Sequence, residues 1–146
     1  EIPGTGIANT IDLGMLKNIH PKDKLPIGHR LTQLALKNVH GMDVIPQGPT
    51  YKSLSIDGSK AVLTFEHSQG LKTKDGKAPS SFWIAADDQK WFKTEAKIVG
   101  DTIEVSSKDV PKPVAVRYAF TAFPEVNLLN KANLPALPFR TDKWEP

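Results

Sequence analysis

The chain of 146 residues contains no cysteine, so disulfides and thiolate metal sites are excluded, while an oxidising or a reducing compartment fits equally well. It also lacks any apolar run approaching the roughly 20 residues of a bilayer-spanning helix, and no membrane span is expected. Charge of one sign is scarce: 19 Lys and Arg face 16 Asp and Glu, for a net +3, with no block of five like charges. That is a poor footing for nucleic acid, which is not expected as a partner. Neither a basic n-region nor an apolar signal segment opens the sequence. Instead it starts at Glu1 on residues that read as a strand in mid-course, which has the look of a fragment.

What is present suits one ordinary water-soluble domain, with 39% hydrophobic and 24% charged residues. Ile7 to Leu13 alternates loosely and stops at Gly14, predicting a strand. Pro21 biases His20 toward extended backbone, so His20 is expected in the loop after that strand. Asp23 can cap a following helix, Pro26 is tolerated in its first turn, and Gly41 can end it. At 100° per residue Ile27, Leu31, Leu34, Ala35 and Val39 share one face, opposite His29, Arg30, Gln33, Lys37 and His40.

Beyond Gly41 the pattern changes. Asp57-Gly58 and Gly100-Asp101 each sit between strand-like runs and predict two β-hairpins. Phe82 to Ala86 and Val114 to Phe120 read as further strands, and Pro124 to Pro146 as an irregular segment laid over a sheet. The expectation is mainly β: a small β-sandwich over residues 42–146, preceded at 1–41 by one strand, one loop and one helix. A lone strand and helix cannot complete an α/β layer, so the strand either joins the sandwich or belongs with neighbours from elsewhere.

The stretches "TIDLG", "IHPKDK" with "GHRL", "GPTY", "FWIA", "AKIVGDTIEVSS", "VRYAF" and "NLLNKANLPALPFRTD" follow one another as they do at the C-terminal end of sialate O-acetylesterases. The chain resembles that family over essentially its whole length. The resemblance implies a serine esterase of the SGNH-hydrolase type, acting on an O-acetylated sugar without a cofactor. Residues 1–41 would then be the last strand, catalytic-histidine loop and helix of the hydrolase domain, and 42–146 a C-terminal accessory domain. It assigns the catalytic base to His20 of "IHP". The family's Gly-Gln-Ser nucleophile motif is absent, which implies that the chain alone is inactive and has an upstream hydrolase domain as its partner. Many such enzymes carry an aspartate three residues before the histidine. Lys17 stands there, so Asp12 in "IDLG" is taken as the orienting carboxylate, Asp23 being already employed as a helix cap. Relatives of this kind are commonly exported, which suggests a secreted or periplasmic protein.

The runner-up is a non-catalytic β-sandwich that binds a glycan or a partner. Trp83, Trp91 and Phe92 could form a sugar platform, although core or lid packing is the commoner use of such side chains. Lys22 and Lys24 read as solvated, Arg140 as a local partner of Asp142, and His67 carries no assigned chemistry. No metal is expected. His29 and His40 lie roughly 16 Å apart along a helix at 1.5 Å per residue, too far for joint ligation.

Overall fold

A computed structural model describes residues 5–145. Its one helix, α1 (Leu25–Asn38), carries proline in the first turn. Asp23 Oδ1 accepts the Leu25 N–H at 3.1 Å, satisfying one of the orphan donors at the start. Gly41, at φ +63°, turns the chain away beyond the other end.

All the paired strands among the described residues run antiparallel. Among the described residues, β1 (Thr50–Asp57), β2 (Lys60–Glu66), β6 (Ala96–Val99) and β7 (Thr102–Val105) form one four-stranded sheet in the order β1-β2-β7-β6. The second has the order β10-β8-β4-β5, built from β4 (Phe82–Ala85), β5 (Trp91–Thr94), β8 (Ala115–Tyr118) and β10 (Phe139–Arg140). A small pair joins β3 (Lys72–Thr73) to β9 (Leu128–Leu129). Both predicted hairpins form. Gly58 (φ +57°) and Gly100 (φ +59°) open their turns, a conformation that glycine adopts without a Cβ penalty.

The two large sheets share one core. Leu63 and Phe65 on β2 and Ile103 and Val105 on β7 face the interior, as do Phe82 and Ile84 on β4 and Val116 and Tyr118 on β8. Period-two alternation puts every second side chain of β2 inside. Tyr51, Phe65, Tyr118 and Phe139 continue the packing through ring contacts, with Tyr51 and Phe139 stacked at 4.8 Å. The end of the chain lies over this core and is less irregular than its prolines suggest, contributing β9 and β10. Asn130 fastens it from within. Fully buried, it donates to the Gln47 and His67 carbonyls at 3.0 Å each and accepts the Ala132 and Leu134 N–H groups.

Three expectations need correction. Residues 7–13 form no strand, because their backbone groups are satisfied locally: Leu13 N–H bonds the Thr10 carbonyl and Ile11 N–H the Asn9 side chain. Arg117, rather than Arg140, pairs with Asp142, binding both carboxylate oxygens at 2.9 and 2.8 Å. The helix also turns a different stripe inward. Arg30 and Leu34 are buried beside half-buried Ile27, while Leu31 and Val39 stay 51% and 72% exposed.

Candidate functional site

The N-terminal segment is held to the β domain by a relay of polar contacts. Asn9 donates its side-chain amide to the Pro135 and Ala136 carbonyls at 3.3 and 3.1 Å. Its own carbonyl accepts from Arg30 Nη1, which also reaches Asp12 Oδ1 at 2.7 Å, while Nη2 meets Asp12 Oδ2 at 2.7 Å. The guanidinium fork matches the carboxylate, and the Arg30 side chain is only 9% exposed. Helix, turn and β domain are thereby joined through one buried cation.

His20 sits in the loop between this clamp and α1. Its backbone N–H donates to Asn18 Oδ1 at 2.9 Å, and Asn18 in turn bonds back to Met15, so the loop is shaped by a side-chain turn immediately before Pro21. The His20 side chain is exposed. Asp12 directs both carboxylate oxygens to Arg30, and among the described residues no hydrogen bond joins it to His20. An exposed imidazole can accept a proton from an incoming hydroxyl. As it stands, the arrangement provides that capacity without a nucleophile.

The other candidates from the sequence fall into place individually. Lys17, Lys22, Lys24 and His40 are exposed, and His29 meets Gln33 one turn away. His67 occupies a positive-φ turn, where its carbonyl serves Asn130. Trp91 is taken up structurally: Arg117 lies 4.2 Å over its ring and Trp144 packs edge-on. Trp83 instead lines a cavity of about 290 Å³ with Lys93, Thr121 and Phe123. Among the described residues no group of three or more His, Asp or Glu side chains could hold a metal, and no helix is long and apolar enough to cross a membrane.

Two participants escaped the sequence reading. Arg30 looked like a solvent-face residue, yet its spacings of three to Ile27 and four to Leu34 put it on their stripe. Asn127 offered no comparable signal. It is buried, and it gathers Asp75, Ser80 and the Ala78 carbonyl from segments some 50 positions away beneath a cavity of about 490 Å³.

Comparison with known proteins yields no matching family model and no matching curated protein. Among solved structures, the chain is similar to a carbohydrate acetylesterase from Xanthomonas citri, at 41% identity and a TM-score of 0.87. The match takes in 91% of this chain and 31% of that one, so the chain spans about a third of the length of the structure it matches. The likeness supports a relationship to carbohydrate esterases in general, without singling out those that act on sialic acid.

Proposed function

We propose that this chain is the C-terminal part of a serine esterase that removes O-acetyl groups from sialic acid or a related sugar, and that His20 is its catalytic base. The observation that carries this reading is the 41% identity to one third of a carbohydrate acetylesterase. The "IHPKDK" motif lies inside the described chain, and the histidine side chain is free to receive a partner.

In the whole enzyme a serine from the upstream SGNH-type domain would approach His20. The imidazole takes the Oγ proton as oxygen bonds to the acetyl carbon. The tetrahedral intermediate then collapses: the bond to the sugar oxygen breaks and the imidazolium returns its proton to that oxygen. A water molecule, deprotonated by the same imidazole, attacks the acetyl-serine; the bond to serine Oγ then breaks, the imidazolium returns the proton to that oxygen, and acetate leaves. Histidine suits both halves of the cycle because its two protonation states interconvert near neutral pH.

To orient His20, as the sequence leads one to expect, Asp12 would have to leave Arg30. Its geometry better supports a positioning role, with the Asp12–Arg30 pair fixing the segment that flanks the histidine loop. The seam with the hydrolase domain is supported by apolar side chains left in water. Leu16, Ile19, Leu25, Leu31 and Val39 are all exposed, and all precede Gly41.

The test of substrate class is acetate release by the upstream-extended protein from O-acetylated sialic acid and from acetylated neutral sugars. Preference for the sialate establishes the finer reading. Preference for a neutral sugar retains the esterase and removes sialic acid as its substrate, and release from neither, with an intact serine motif, removes the esterase.

A further inference from the structure

The cavity of about 490 Å³ lies between the turn at Ile11 to Gly14 and the β domain, and its size is that of a small-molecule site. Its polar lining is held in place. Asn127 donates to Asp75 at 3.0 Å and accepts the Ser80 N–H at 2.9 Å, while Ser80 Oγ donates to the Glu125 carbonyl at 2.7 Å. Phe123 forms part of the wall and leaves 47% of its surface open to a ligand. The cavity beside Trp83 shares that wall, because Phe123, Pro124 and Glu125 line both.

Charge narrows the class of ligand. Asp12 is neutralised by Arg30, and what remains along the two cavities is three lysines, at 74, 77 and 93, against Asp75, Glu95 and Glu125. A balanced lining does not select an anion or a polycation. A half-exposed aromatic wall beside carboxylate acceptors and ammonium donors matches a neutral ring with apolar C–H faces and a rim of hydroxyls.

We infer that these two cavities are adjoining subsites for a neutral oligosaccharide, packed against Phe123 and reaching Trp83. The choice of a saccharide rests on the carbohydrate-esterase reading. Here the glycan chain is gripped mainly by the β domain, at its junction with the turn that carries Asp12.

Calorimetry and tryptophan fluorescence of the 146-residue chain with unacetylated xylo-, cello- and manno-hexaose, and with sialyllactose, test this. At least one neutral hexasaccharide is expected to bind and to change tryptophan emission. Phe123→Ala should weaken binding about tenfold. Trp83→Phe should abolish the emission change, and His20→Ala should alter neither. Phe123 is exposed enough that its removal spares the fold, which circular dichroism checks; Glu125→Lys provides a second variant, which replaces a carboxylate acceptor lining both cavities and should also weaken binding. Failure of every neutral hexasaccharide at millimolar concentration, indifference to Phe123→Ala and Glu125→Lys, or tighter binding of sialyllactose would each overturn the inference. Because these ligands carry no acetyl group, binding without esterase activity in the extended protein sinks only the esterase reading, and activity without binding sinks only this one.

Discussion

Replacing Asp12 with alanine leaves the Arg30 guanidinium nearly buried, with the Asn9 carbonyl as its remaining acceptor. Two charge-assisted hydrogen bonds of 2.7 Å disappear and the desolvation of the cation goes uncompensated. Removing one partner of a buried pair costs about 3–5 kcal/mol, and Asp12, at 18% side-chain exposure, places this case near 3 kcal/mol. Asn9 and Arg30 connect the N-terminal segment to the β domain, against whose core the segment packs only half-buried Ile11 among the described residues. The loss should therefore surface as local undocking rather than global unfolding. At about 1.4 kcal/mol per decade, the open population of residues 5–41 rises on the order of a hundredfold. Limited trypsin digestion should show faster cleavage at Lys17, Lys22 and Lys24, and amide exchange should show lost protection in α1, with β2, β4, β7 and β8 unchanged. Unaltered proteolysis and exchange would refute the reasoning, as the pair would then contribute no more than an exposed one.

Arg117 holds the Asp142 carboxyl below its ordinary value of 3.8, an effect that outweighs the opposing burial. A lowered folded-state value contributes stability that is present above about pH 4 and is lost as pH falls below it. Asp142→Asn should therefore cost about 2 kcal/mol in urea denaturation at pH 7, and the gap from wild type should narrow toward pH 2. A Cβ at Gly48 would run into the Pro135 carbonyl, and backbone there cannot move aside cheaply. Gly48→Ala should lower stability by about 2 kcal/mol or more, seen as a reduced urea midpoint. The exposed apolar side chains of the N-terminal segment should bind a fluorescent hydrophobic dye and promote association in light scattering, and Leu31→Lys with Val39→Lys should suppress both.

Local signals carried the β domain into view from sequence. Gly58 and Gly100 fixed two turns, and the alternation through Ala61, Leu63 and Phe65 marked an inward face. What stayed hidden depends on partners far along the chain. Residues 7–13 have strand-like composition, but composition cannot say whether a neighbouring edge exists, and none accepts them here. Arg30 is buried because Asp12 and Asn9 meet it from 18 and 21 positions away, and Arg117 finds Asp142 across 25. Of the candidate site, the exposed loop position of His20 ahead of the helix was legible through Pro21. The Asp12–Arg30 clamp and the Phe123 wall were not, since neither has a local sequence signature.

The most direct test of the account is hydrolysis of a chromogenic acetyl ester by the 146-residue chain and by its upstream-extended form, each with and without His20→Ala. The account predicts activity in the extended protein alone, abolished by that substitution. Activity of the extended protein that survives His20→Ala would contradict it.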